Sequence, residues 1–417
     1  MKINLEEVVR ALSIALDLTQ ISLSENKIVE SNSNVNTNFY NHTFIHHSKR
    51  TTYIALEISK TLSLDTSSTV ELYVSSLLHD IGSLNSLLKS DDTNNFVKQH
   101  CLIGASIVDA FPIFDDLCNI ILHHHENVDG SGPNGLKCSE IPIESQIIRI
   151  SDLVESYHNP VLPSYLQKHS IVNWVISQED KIFSKEIVNA FLKVSSIDMF
   201  WFNMDNIQYM DFILDNISPK LDIYMDINQF ESIAYIFSKV IDNKSKFTAM
   251  HSRGISNLAF NVSKYLNYPH EKCIKMKIAG LLHDIGKLAI PSDILDKNGA
   301  LTSDEFAIIK SHSYYTNMIL SRIKNIDDIK NWASNHHEKL NSKGYPRGLN
   351  SSELCEESRI LSVCDIYQAL TEDRPYRKGL DNEKAFSIID NMASEGEICP
   401  TAVCYLKDTL KLYYNIR

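Results

Sequence analysis

Glycine and proline are scarce in this chain of 417 residues, at 13 and 11. A many-stranded β protein needs both at its tight turns, so the shortage favours an all-α fold. No uncharged apolar run reaches the roughly 18 residues of a membrane-spanning helix. The start, Met1-Lys2-Ile3-Asn4-Leu5-Glu6-Glu7, lacks the apolar stretch of a secretory signal. No membrane association is expected, and the cytoplasm is the expected compartment. The eight cysteines form no CxxC pair, which reads as reduced thiols. Positive charge is also short: 40 Lys and Arg stand against 52 Asp and Glu, a net −12. No basic patch of the kind carried by duplex nucleic-acid binders stands out. The one short basic run is Arg374, Arg377 and Lys378. An acidic chain that handles an anion must concentrate positive charge locally, and bound metal ions are the most direct means.

Hydrophobic residues make up 43%, enough for real cores, and the length suggests two or three domains. The most informative feature is an internal repeat. His47-Ser48 and His251-Ser252 each precede the string Leu-Leu-His-Asp-Ile-Gly, at Leu77 to Gly82 and Leu281 to Gly286. In both copies 32 residues separate the first His from the second. A lone His follows, His100 or His312. Then comes His-His-Glu 24 residues later, at His124 to Glu126 and His336 to Glu338. Each copy closes with an Asp in an apolar segment, Asp152 or Asp365. The gap before the lone His is 21 residues in copy one and 29 in copy two, the mark of a loop deletion. Three segments result: 1–197, a connector over 198–230, and 231–417. A Ser- and Asn-rich stretch near 22–41 reads as a surface loop inserted before His47.

Periodicity makes the repeat helical. Ile278, Leu281, Leu282 and Ile285 fall at i, i+3, i+4 and i+7, as do Val74, Leu77, Leu78 and Ile81. Gly82 and Gly286 then stand where a helix C-cap glycine belongs. Asn298-Gly299 reads as a turn, and Thr302 with Glu305 as a capping box that opens the helix of His312.

His and Asp are ligands for divalent metals, and a helix bundle can project them from separate helices into one interior site. Neighbours on a helix point about 100° apart. Asp284 is therefore expected to bridge two metals while His283 binds one, and His336 and His337 are expected to divide in the same way. Two bridged metals suit phosphodiester hydrolysis, because they lower the pKa of a shared water and offset phosphoryl charge. A single His on a helix is usually a packed or surface residue. Seven residues of ligand type recurring in both halves are not explained that way.

Beyond the ligands, copy two contains His283-Asp284-Ile285-Gly286-Lys287, Ile290-Pro291, His336-His337-Glu338, Gly344-Tyr345-Pro346, Cys364-Asp365 and Arg374-Pro375-Tyr376-Arg377. From about residue 236 onward these ordered motifs resemble the bacterial HD-GYP family, and the first half resembles a divergent HD domain. The resemblance implies two tandem HD-type helical domains. It implies a metal-dependent phosphodiesterase that opens cyclic di-GMP or 3′3′-cyclic GMP-AMP, bacterial second messengers, to a linear dinucleotide. Two divalent ions, iron or manganese, would lie in the C-terminal domain. Their ligands would be His251, His283, Asp284, His312, His336, His337 and Asp365. Asp284 and Lys287 would be catalytic, and Lys287, Tyr345, Arg374 and Arg377 would contact substrate. A GGDEF-type cyclase domain is an expected partner. The alternatives are a regulatory module that binds a cyclic dinucleotide or docks a cyclase, and a nucleotidase of the HD type.

Copy two departs from the family pattern in three ways. Asn341-Ser342 replaces the usual Asp-Gly after the His-His-Glu string, an expected loosening of the loop. Phe247 stands where members with three metals carry an acid, so two metals are expected. Only the first HD copy precedes the unit, with no receiver or membrane sensor domain. Copy one keeps a second candidate ligand set: His47, His79, Asp80, His100, His124, His125 and Asp152. It lacks the substrate groups. Ser83 replaces Lys287, Gly132 runs directly into Pro133, and Val161 and Ser164 stand in place of the two arginines. A structural or regulatory role is expected for it.

Overall fold

The computed structural model describes residues 1–27, 46–83, 93–109, 111, 114, 116–244, 251–373 and 378–414. The described residues are mostly helical and carry almost no sheet, as the shortage of turn formers implied. The exception is one antiparallel pair, Ile3–Asn4 (β1) with Tyr224–Met225 (β2). The chain forms two compact units. The N-terminal unit is Leu12–Asp222, and the C-terminal unit is Ile223–Arg417 together with Met1–Ala11. The first strand therefore belongs by packing to the C-terminal unit.

After the opening helix α1 (Leu5–Lys27), the N-terminal unit runs through α2 (His47–Leu62), α3 (Thr66–Leu78), α4 (Thr93–Val108), α5 (Leu117–His123) and α6 (Ile143–Tyr157). It closes with α7 (Ser164–Ser177), α8 (Lys185–Ser195), α9 (Asp198–Asp205) and α10 (Met210–Ile217). The C-terminal unit repeats the order with α11 (Ile227–Lys244), α12 (His251–Tyr265) and α13 (His270–Leu282). A short α14 (Ser292–Leu295) follows, then α15 (Ser303–Leu320), α16 (Asp327–Ser334), α17 (Glu356–Thr371), α18 (Asn382–Ser394) and α19 (Pro400–Tyr414). In each unit the helix that opens with a ligand-type His packs on the next helix and on the one carrying the last Asp: α2 on α3 and α6, α12 on α13 and α17.

The apolar faces read from periodicity are the cores. Val74, Leu77, Leu78 and Ile81 are buried, as are Ile278, Leu281, Leu282 and Ile285. The helices themselves stop earlier than that periodicity suggests, at Leu78 and Leu282, and the chain tightens into 3₁₀ turns at His79–Gly82 and Ile285–Ala289. Gly286 is correspondingly not a C-cap glycine, since it lacks positive φ. A Cβ on it would collide with the His312 carbonyl oxygen, and a Cβ on Gly82 would collide with that of His100. Each glycine thus lets the His-Asp turn lie against the backbone of the helix bearing the next ligand-type His.

The capping box forms as read. The Thr302 hydroxyl accepts from the Glu305 N–H at 3.2 Å, and the Glu305 carboxylate accepts from the Thr302 N–H at 2.7 Å. A buried Asp anchors the start of each first-ligand helix. The Ser48 N–H donates to Asp17 at 3.1 Å, and the Ser252 N–H to Asp242 at 3.3 Å. The same contact spans 31 residues in one copy and 10 in the other, so the added length of copy one lies between Asp17 and Ser48. α1 runs to Lys27, so the first part of the stretch read as a loop is helical, and 28–45 lies outside the described residues.

Candidate functional site

In the C-terminal unit five elements bring the predicted ligands together. His251 opens α12, His283 and Asp284 follow α13, and His312 sits within α15. His336 and His337 follow α16, and Asp365 lies in α17. Donors about 2.1 Å from one ion lie no more than about 4.2 Å apart. Four donor pairs meet that limit on the side of Asp284 Oδ2. His283 Nε2 is 3.1 Å and His251 Nε2 4.0 Å from it, while Asp365 Oδ1 lies 3.2 Å from His251 Nε2 and 4.0 Å from His283 Nε2. The other oxygen, Asp284 Oδ1, faces a second set, with His312 Nε2 at 3.5 Å and His336 Nε2 at 3.9 Å. His337 completes that set, within 4.8 Å of His312 and His336, so the two adjacent imidazoles fall in one set and do not divide as their helical spacing suggested. Both sets are groups that could hold divalent metal ions.

The residues fit such ions on two further grounds. His283 Nε2 and Asp284 Oδ1 are buried and lack a hydrogen-bond partner among the described residues, a costly state unless another group meets them. The imidazoles are also oriented for ligation. His283, His312 and His336 each donate Nδ1–H to the carbonyl three residues back, at 2.9, 2.6 and 2.6 Å, leaving Nε2 as the free lone pair. The Nδ1 of His251 donates to Glu372, at 3.0 Å.

Electrostatics keep the second set neutral. Burial pushes His312 down to about 3 and His337 down to about 4, and it also holds His336 well below the usual range. Burial would lower His251 as well, but hydrogen bonds to Asp365 and Glu372 outweigh it and raise that imidazole to about 9. Asp284 is held well below the ordinary carboxylate range although burial opposes this, because His283 and Lys287 stand beside it. In the N-terminal unit His100, His124 and His125 are lowered by burial too. A buried neutral His must take up a proton on unfolding in acid, so the unfolded chain binds more protons between the lowered values and about 6.5. Stability of the chelator-treated protein is therefore expected to fall as pH drops from about 6.5 towards about 4. A melting temperature that stayed flat across that window would contradict the burial of these imidazoles.

Two of the predicted substrate groups, Lys287 and Tyr345, lie beside the donor sets. Lys287 Nζ lies 2.5 Å from Asp284 Oδ2 and is partly exposed. The Tyr345 ring lies against His337, with centroids 4.8 Å apart. Glu338 shapes this loop, because its two carboxylate oxygens accept the N–H groups of Arg347 at 2.7 Å and Leu349 at 2.9 Å. Ser342 takes φ 62° in the turn, where copy one has Gly130 at φ 86°. The Asn341-Ser342 replacement therefore keeps the turn, in a conformation that costs a non-glycine about 1–2 kcal/mol. Arg374, Arg377 and Phe247 lie outside the described residues.

The N-terminal unit gathers its set in the same pattern. Around His47 Nε2 lie His79 Nε2 at 3.3 Å, Asp152 Oδ1 at 3.5 Å and Asp80 Oδ2 at 3.6 Å. Asp80, His100, His124 and His125 form the second group. Glu126 repeats the part of Glu338, accepting from the N–H groups of Asn134 and Leu136 at 2.7 and 3.1 Å. The differences lie behind the ligands. His47 Nδ1 donates to Glu155 at 2.5 Å, and the buried Arg50 donates its Nε–H to the other oxygen of Glu155 at 2.5 Å. A cation also reaches this cluster from a position no motif marks, since Arg149 donates to His125 Nδ1 at 2.9 Å and to Asn127.

An all-helical bundle with His and Asp from five elements meeting at one shared carboxylate defines a metal-dependent hydrolase of the HD type. The chain belongs to the HD domain family, whose pattern matches residues 37–165 and 236–401, one match per copy. It is 26% identical to 3′3′-cGAMP-specific phosphodiesterase 1 of Vibrio cholerae over 387 residues, covering 89% of each chain. It is 34% identical to a cyclic di-GMP phosphodiesterase of Pseudomonas aeruginosa over 35% of each chain. A crystal structure of a cyclic GMP-AMP specific phosphodiesterase from V. cholerae shares the fold, with a TM-score of 0.68 at 21% identity over 99% of each chain. Among the described residues no helix is long and apolar enough to cross a membrane.

Proposed function

We propose that the C-terminal unit hydrolyses a cyclic dinucleotide, 3′3′-cyclic GMP-AMP or cyclic di-GMP, to a linear dinucleotide. The reading rests on one observation above the others: two donor sets share the two oxygens of a single buried carboxylate, Asp284, beside Lys287 and Tyr345. The relatives that span most of the chain support the substrate class. His251, His283, Asp284 and Asp365 would hold one divalent ion, and Asp284, His312, His336 and His337 a second, with iron or manganese favoured. When bound, such ions lower the pKa of water and offset charge on the phosphoryl oxygens. Asp284 stays ionised and fixes the spacing of the two sets. Lys287 offers a point charge to a phosphate oxygen at the open edge. Tyr345 walls the site beside His337, and Arg374 and Arg377 would grip phosphate with planar donor forks. We assign the N-terminal set a second, structural or regulatory metal site. A GGDEF-type cyclase domain as partner and a cytoplasmic location are proposed on the family resemblance.

The test compares turnover of cyclic di-GMP, 3′3′-cyclic GMP-AMP and a purine mononucleotide by the iron- or manganese-loaded chain. Cleavage of a cyclic dinucleotide well ahead of the mononucleotide is expected. Release of phosphate from the mononucleotide as the dominant reaction would favour a nucleotidase instead.

A further inference from the structure

We propose that Glu372 is a positioning residue that orients His251 for metal binding, a role that rests on the two-metal reading of this site. Three of the C-terminal imidazoles are set by carbonyls of their own helical turns. For His251, the first described residue of α12, the acceptor of Nδ1–H comes from another element. The Glu372 carboxylate is that acceptor at 3.0 Å. A carboxylate behind a ligand imidazole fixes its tautomer and makes its far nitrogen a better ligand.

The two copies differ in where this carboxylate comes from. In copy one it is Glu155, three residues past Asp152 and inside α6. The matching residue of copy two is Gln368, and the residue matching Arg50 is Gly254. A Cβ on Gly254 would overlap the Gln368 side chain, so that pair leaves no room for the arrangement of copy one. The role has moved to Glu372, the residue that follows the last turn of α17 as its C-cap. The Gly379 N–H donates to Asp373 at 2.7 Å, and the Leu380 N–H to the Leu370 carbonyl at 2.9 Å. Neither the spacing of the repeat nor a family motif marks this residue.

The test uses the full chain as wild type, Glu372→Ala, the volume-keeping Glu372→Met, and Glu372→Gln, which can still accept from Nδ1–H. Metal affinity is measured by chelator competition with manganese, alongside kcat and KM for the cyclic dinucleotide. Glu372→Ala and Glu372→Met are expected to weaken one ion by about 10- to 100-fold and to lower kcat with KM little changed, while Glu372→Gln stays within about threefold of wild type. Equal affinities in all four proteins, or a loss in Glu372→Gln as large as in Glu372→Ala, would overturn the assignment. Because affinity is read apart from turnover, a wild type that binds metal without cleaving would count against the proposed reaction only.

Discussion

Asp284→Ala is expected to abolish cyclic-dinucleotide cleavage and to release metal from the C-terminal unit while leaving the N-terminal set loaded. Its two oxygens face different donor sets, so no other single ligand removal touches both. The loss of activity should exceed the about 100-fold that follows removal of a group behind a metal ligand. It should also free Lys287, whose ammonium sits on the same carboxylate. Metal analysis and product chromatography on the purified variant give both readouts. Asp80→Ala is the contrast: metal should be lost from the N-terminal unit with cleavage retained. Full turnover in Asp284→Ala would remove the C-terminal site as the seat of the reaction.

The second large effect is on stability. Arg50 and Glu155 are each 1% exposed or less, and His47 shares the same carboxylate. Burial would lower His47, but Glu155 outweighs it and holds the imidazole at about 10. Truncating one partner of a buried pair strands a charge and costs about 3–5 kcal/mol. Glu155→Ala is therefore expected to destabilise the N-terminal unit by that amount, seen in denaturant unfolding followed by fluorescence of Trp174 and Trp201. Replacing the pair together, with Arg50→Met and Glu155→Met, should cost less than the single change, because the guanidinium is then not left alone and His47 can give up its proton. A single-variant cost below about 1 kcal/mol would mean that solvent reaches the Arg50 guanidinium.

How far the sequence carried the site depended on whether a residue's task left a periodic or repeated trace. The ligand-type residues were legible because the repeat gave each a counterpart at matched spacing, and the Thr302–Glu305 box because capping is local. Gly82 and Gly286 were visible but misread. A glycine after an apolar helix suggests a C-cap, whereas here the missing Cβ admits a neighbouring backbone, a contact between segments far apart in sequence. Glu126 and Glu338 carried a usable signal, since each recurs beside the paired His yet faces the loop and not the donor sets. Glu155, Glu372 and Arg149 carried none. Each acts on an imidazole from another helix, and the copies differ at all three positions.

The most direct test of the account is to incubate the anaerobically prepared, iron- or manganese-loaded chain with 3′3′-cyclic GMP-AMP and with cyclic di-GMP, and to separate the products. The account predicts a linear dinucleotide from at least one of them. Intact substrates in the presence of a protein that binds them tightly and carries its metals would contradict it, and would make the chain a binding module.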